Sequence, residues 1–268
     1  MAGLRLEPLA SHLPLIEVGD GESKTIGRAE HADILSAQNV TDANEFTKLV
    51  RDRPFISTFG IEADSLEGYL FPETYALPKD APASRLIDAM VDRFRDVYSE
   101  EMRARAAVQG LSARQVVTLA SLVEKETGKP EERPIVAAVY RNRLKIGMPM
   151  QADPTIVYAL EKDHRYNGNI RREDLSMESP YNTYKYPGLP PGPVASPGKA
   201  SLEAVLVPSI VPYLYFVSRN DGSHVFAKTL AEHNKNVSRF QVEYFRRQRV
   251  EAARARQLAR PRLPASKR

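Results

Sequence analysis

The sequence contains no cysteine. That single absence excludes disulfides, thiolate nucleophiles and cysteine-based zinc or iron–sulfur sites, and it leaves the redox compartment open. The five histidines are scattered without metal-ligand spacing, so no metal and no cofactor is expected. Long apolar runs are missing as well. In "MAGLRLEPLASHLPLIEVGDGESK" the residues Glu7, His12 and Glu17 interrupt any signal-peptide core and any membrane span of roughly 18 residues, so neither an export signal nor an anchor is expected in this stretch. Charge of one sign is not in large excess. With 38 basic against 34 acidic residues the net charge is +4, a balance that favours anionic partners such as cell-wall polymer, lipid headgroups or nucleic acid without choosing among them. There is no βαβ alternation and no internal repeat, which argues against a doubly wound or solenoid fold.

What is present suffices for a core. A chain of 268 residues with 42% hydrophobic content can form one large domain or two small ones. Residues 1–24 show no steady period and read as a flexible lead-in, whereas "EHADILSAQNVTDANEFTKLVRD" reads as two short helical patterns around a turn, with Thr41 or Asp42 capping the second and Phe46, Leu49 and Val50 on its apolar side. "LEGYLFPETYALP" reads as an extended, partly buried segment. From Pro82 to Ala107 apolar residues recur at helical spacing, with Leu86, Met90, Phe94 and Val97 on one stripe, and the pattern predicts one helix. Further helices are expected over Ser112–Thr127, with Ser112 as N-cap and Gly128 and Pro130 as stop signals, and over Glu132–Ile146, ended by Gly147. One short helix follows in "MPMQADPTIVYAL". Residues 161–200 read as loop, rich in the chain's 20 prolines and 14 glycines. "YLYFV" and "HVFAK", joined by "SRNDGS", form a hairpin, and a last helix runs from Leu230 toward Phe245 before an arginine-rich tail. The order predicts an α+β fold, mainly helical, with a long Pro/Gly-rich loop and a β-hairpin.

Chemistry concentrates in "TLASLVEKETGKP". At about 100° per residue Val116, Ala120, Val123 and Thr127 share one line of the helix, Glu126 falls between Leu119 and Leu122, and Glu124 falls between Ala120 and Val117. An apolar wall penalises the charged form of a carboxyl group and raises its pKa toward neutrality, as a general acid acting on a glycosidic oxygen requires. Glu126 is the better candidate, because leucines bracket it and the negative end of the helix dipole opposes its ionisation. Glu124, with alanine and valine beside it, is expected to stay ionised. The alternative is that both are boundary acids at a helix end, solvated or paired with Arg133 or Lys129.

These residues carry a resemblance. "LEGYLFPETY", "LASLVEKET", "VYRNRLKIGMPMQADPTIVYAL", "SPYNTYKYPGLPPGPVASPG" and "PYLYFV…GSHVFAKTLAEHNKNV" occur in this order, and from about residue 60 to about 240 the chain resembles the YceG-like family of endolytic murein transglycosylases. The resemblance implies water-free cleavage of the bond between N-acetylmuramic acid (MurNAc) and N-acetylglucosamine (GlcNAc) in peptidoglycan, leaving a 1,6-anhydro-MurNAc end, with Glu126 as acid and base. It also implies peptidoglycan strands as partner, with penicillin-binding synthases and the elongation or division machinery as further ones, and action at the periplasmic face of the inner membrane. Residues 63–245 would be the catalytic domain, 25–62 the remnant of an N-terminal LysM-like region, and 246–268 a basic tail.

Matching positions suited to holding sugar are Tyr181, Asn182, Thr183 and Tyr184, the alternative being a turn with half-buried tyrosines. Gln151 and Asp153 would line the cleft or bind the loop carrying those four, although Asp153 before Pro154 reads more simply as a helix N-cap. Glu73 is a second acid for the groove or packs beside Tyr75, and Arg141 and Arg143 either meet substrate carboxylates or are solvated. Ser196 and Lys199 share the S-x-x-K spacing of a nucleophile pair, but prolines surround them and no helix is expected there. A non-catalytic peptidoglycan-binding scaffold is the competing function. Nucleic-acid binding rests only on the basic tail, which lacks interleaved aromatics, and is not expected.

Overall fold

A computed structural model describes residues 15–17, 41–77, 81–246 and 249–251. They fall into two units that divide between Val211 and Pro212. Most of the lead-in, the helical pattern expected at "EHADILSAQN" and most of the basic tail lie outside the described residues.

In the first unit, β1 (Leu15–Glu17) pairs antiparallel with β2 (Thr74–Ala76), Ile16 facing Tyr75. Three residues of the lead-in are thus a strand. Helix α1 (Ala43–Leu49) starts at Asp42, whose side chain accepts the N–H of Asn44 at 2.7 Å, and α2 (Arg53–Ser57) opens with Pro54 in its first turn. Phe46, Val50 and Ile56 from these helices share a core with Leu66, Leu70 and the apolar face of α3 (Ala83–Val97), so residues 41–57 are not separated from the segment that follows. Gly68 brings two parts together. Its φ is +86°, and a Cβ there would stand 2.5 Å from Pro193 Cγ and 2.8 Å from Val117 Cγ1, so only glycine fits.

The single helix expected from Pro82 to Ala107 is two. It breaks at Tyr98, and α4 (Glu100–Val108) begins at Ser99, which caps the N–H of Met102 at 3.3 Å with Glu100 and Glu101 in the first turn. The cap and the acidic first turn, both favourable at a helix start, prevail over an apolar period that runs on regardless.

Helix α5 (Ala113–Glu126) begins in a capping box between Ser112 and Gln115. From Val116 to Glu124 every residue is buried, not only one stripe. The reason is its central position against α6 (Arg133–Lys145), α7 (Asp153–Lys162) and α8 (Lys199–Leu206). Helix α8 falls inside and just past the stretch expected to be loop, and its Leu202 and Val205 are fully buried. Each buried leucine or valine contributes about 1.5–3 kcal/mol, so α5, with Val116, Val117, Leu119, Leu122 and Val123 at 0% exposure, is the axis of the unit. The S-x-x-K pair lies here too: contrary to expectation a helix is present, but Ser196 precedes it, and Lys199 faces Glu203 one turn on at 3.7 Å.

The second unit is a hairpin and a helix. Strands β3 (Tyr215–Ser218) and β4 (His224–Ala227) pair antiparallel, with Asn220 and Gly222 at positive φ in the turn, as "NDG" predicts. Helix α9 (Leu230–Val237) starts in a capping box of Thr229 and Glu232 and continues as a π-helical turn over Ser238–Val242. His233 stacks on Tyr215 at 5.2 Å. The whole is α+β, as expected. Among the described residues no helix is long and apolar enough to cross a membrane.

Candidate active site

Glu126 is the last residue of α5, and Thr127 beyond it is extended, with φ −142° and ψ 131°. The connection to α6 is tied by the Thr127 hydroxyl, which donates to Glu132 at 3.1 Å and accepts the N–H of Lys129 at 3.1 Å. This places α6 alongside α5 and brings Tyr140, 1% exposed, beneath the Glu126 carboxyl, where its O–H donates to Oε1 at 2.6 Å.

Burial pushes the Glu126 carboxyl up from 4.5 to about 7; Tyr140 and Arg143 oppose that rise and Asp153 adds to it. Burial, and then the Glu126 carboxylate, holds the Tyr140 phenol far above its ordinary value, so it remains a donor. Because Oε1 accepts from Tyr140, the proton of the neutral acid belongs on Oε2. A carboxyl so placed can deliver a proton near neutral pH and take one back.

Glu126 lines a cavity of about 240 Å³ together with Asp153, Pro154, Val157, Tyr158 and Val194. Asp153 is the first residue of α7, and the N-cap is Ala152 rather than Asp153. Having no capping bond to make, the Asp153 carboxylate accepts the Tyr184 hydroxyl instead. Burial, then that hydrogen bond, raises the Tyr184 phenol. Tyr181 packs on Tyr158 with ring centroids 4.7 Å apart, and Lys162 Nζ sits 5.4 Å from the Tyr181 ring. Glu126 and Asp153 therefore line one cavity, with Tyr184 joined to it through Asp153 and Tyr181 through Tyr158.

Other expected positions are placed differently. Asn182 and Thr183 are buried, at 0% and 2% exposure, and their polar groups bond within the fold. Asn182 donates to the carbonyls of Leu175 and Met177 at 3.1 and 2.9 Å and accepts the N–H of Tyr184 at 3.0 Å. The Thr183 hydroxyl accepts from Ala152 N–H at 3.0 Å and lies 2.9 Å from Thr155 Oγ1. Gln151, at φ 49°, donates its N–H to the Thr183 carbonyl at 3.1 Å with its side chain exposed, so its backbone ties the loop to α7. Glu73 is not among the lining residues; it pairs with Arg93 of α3 at 2.6 Å. Arg143 is buried rather than solvated and binds the carbonyls of Met150 and Pro149 at 2.6 and 3.3 Å.

Glu124 has neighbours the wheel did not supply. It is buried, pairs with Arg133 at 3.2 Å and accepts the N–H of Gly198 at 3.0 Å, so for this residue the paired-acid alternative holds. Ser121 likewise accepts Val194 N–H at 3.0 Å. Tyr140 and Tyr158 were not found from the sequence. A tyrosine in a buried helix needs a hydroxyl partner, and that was the available signal.

The fold itself has a solved counterpart: a 2.6 Å crystal structure described as a yceG-like protein from Listeria monocytogenes superposes with a TM-score of 0.72 at 32% identity, over 83% of this chain and 75% of that one. The chain belongs to the YceG-like family, whose model matches residues 22–239. It is 42% identical over 176 residues to an endolytic murein transglycosylase of Bacillus subtilis and 36% identical over 180 residues to one of Streptococcus pneumoniae, 65% of this chain in each case. The chain spans 48% of the Bacillus relative and 32% of the streptococcal one.

Proposed function

We propose that this chain is the catalytic region of an endolytic peptidoglycan lytic transglycosylase in which Glu126 is the acid and the base. One observation carries the reading: a cleft carboxyl that burial raises to about 7, beside a buried phenol donor. Glu126 Oε2 gives its proton to the oxygen joining MurNAc to GlcNAc, and the C1–O bond breaks with charge developing on the MurNAc anomeric carbon. The resulting carboxylate takes the proton of the MurNAc 6-hydroxyl as O6 bonds to C1. The products are a GlcNAc-ended strand and a 1,6-anhydro-MurNAc end, and Glu126 is neutral again. No water is consumed, so a second carboxylate for activating water is unnecessary. Asp153, Tyr184, Tyr181 and Tyr158 hold the sugar, with Asn182, Thr183 and Gln151 supporting them from behind.

On this reading residues 63–245 are the catalytic region and 25–62 are the remnant of a LysM-like glycan-binding part, of which Phe46, Val50 and Ile56 pack onto it. The enzyme trims or terminates nascent strands at the outer face of the inner membrane, beside penicillin-binding synthases. Digestion of purified murein followed by mass analysis tests it: products ending in anhydro-MurNAc are expected, and Glu126→Gln lowers their rate by about 10²–10⁴-fold. Reducing MurNAc ends instead would make the chain a hydrolase, and fragment release equal in parent and variant would leave a non-catalytic scaffold.

A further inference from the structure

A second cavity, of about 1100 Å³, lies apart from the acid cleft in the first unit and includes Arg114, Arg141, Lys145 and Leu119 in its lining. Leu119 and Glu126 are seven residues apart on α5, hence on the same face and about 10 Å apart along the axis. The Pro-rich segment after Tyr184 joins the two places, since Gly188 and Pro191 wall the larger cavity and Val194 the smaller. The two cavities are thus neighbours along one helix and one loop.

Its chemistry is one-sided. The lining holds three cations, the amides of Gln109, Gln115 and Asn142, and neither aspartate nor glutamate. Arg114 is pinned by the Pro191 carbonyl at 2.5 Å and the Glu62 carbonyl at 3.2 Å, so its charge is fixed at the rim with neutral partners only. Arg141 is held by the Gln109 side chain and, at 3.1 Å, by the Val205 carbonyl, and burial disfavours its charged form. Lys145 is exposed at the edge. An entering carboxylate would give these cations the counter-charge the lining lacks, and leucine and proline surfaces beside them suit small aliphatic side chains. The volume exceeds that of a drug-sized pocket, about 300–1,000 Å³.

We propose that this cavity binds the short acidic peptide that peptidoglycan carries on its MurNAc lactyl groups, reading its carboxylates with Arg114, Arg141 and Lys145. The proposal rests on the transglycosylase reading for its ligand but not on turnover. The test is calorimetric titration of the whole chain with a soluble stem tetrapeptide bearing free carboxylates and with its amidated form. Saturable binding is expected, equal in parent and Glu126→Gln, and weakened at least tenfold by amidation or by Lys145→Glu; thermal unfolding of that variant checks its fold, and Lys145→Gln serves if it fails. Absence of binding, binding indifferent to both changes, or binding lost in Glu126→Gln overturns the proposal. Peptide binding without anhydro products would instead sink the catalytic reading alone.

Discussion

Glu126→Gln should gain stability relative to the parent protein as pH rises. In the folded chain the carboxyl titrates at about 7 against an ordinary 4.5. A raised carboxyl pKa means that the folded state holds its proton more tightly than the unfolded chain does. The resulting stability is fully present below about 4.5 and is lost as pH climbs through 7. At about 1.4 kcal/mol per unit, the displacement corresponds to about 3 kcal/mol once the window is crossed. Glutamine has no such titration, and its carbonyl oxygen can still accept from Tyr140. Differences in packing between the two side chains are independent of pH, so the quantity to measure is the change in the variant's advantage, not its absolute value. Urea unfolding of both proteins at pH about 5 and about 8 should show the advantage growing by about 2–3 kcal/mol, or thermal midpoints diverging by about 5–10 °C. An advantage that stays flat across the window would mean that Glu126 ionises as in water, and the argument for a neutral acid would fail.

Two further outcomes follow from neighbouring contacts. Removing the phenol donor with Tyr140→Phe deprives the Glu126 anion of a hydrogen bond worth about 1.5–3 kcal/mol, so the alkaline limb of the turnover profile should move up by about one to two pH units; an unmoved limb would show that Tyr140 only fills space. Glu124→Ala removes the carboxylate that Arg133 meets at 3.2 Å and frees the Gly198 N–H, and should cost about 1–3 kcal/mol in urea unfolding; an unchanged stability would refute the buried pair.

Much of this was legible in the chain because several signals coincided. Helices α5 and α6 and the hairpin combine apolar period, caps and turn residues, and Glu126 between Leu119 and Leu122 follows from angle alone. Where one signal stood against another, the local one prevailed: Ser99 with two glutamates split a helix whose apolar period is unbroken. Helix α8 was hidden because glycine and proline before Lys199 make the surroundings read as loop. The side-chain partners were least legible. A wheel says which way Glu124 points but not that Arg133 from the next helix meets it, and an asparagine that binds sugar has the same composition as Asn182, which braces a loop. Tyr140 belongs to the same class, since its role depends on the angle at which α6 returns along α5.

Thr183 has a mechanical meaning beyond its bonds. Through its hydroxyl and carbonyl it fastens the tyrosine-bearing loop to Gln151, Ala152 and Thr155 at the head of α7. Asp153 and Tyr184, bonded to one another, are thereby buttressed from both sides of the junction, so a force on the tyrosine-bearing loop is shared with the head of α7.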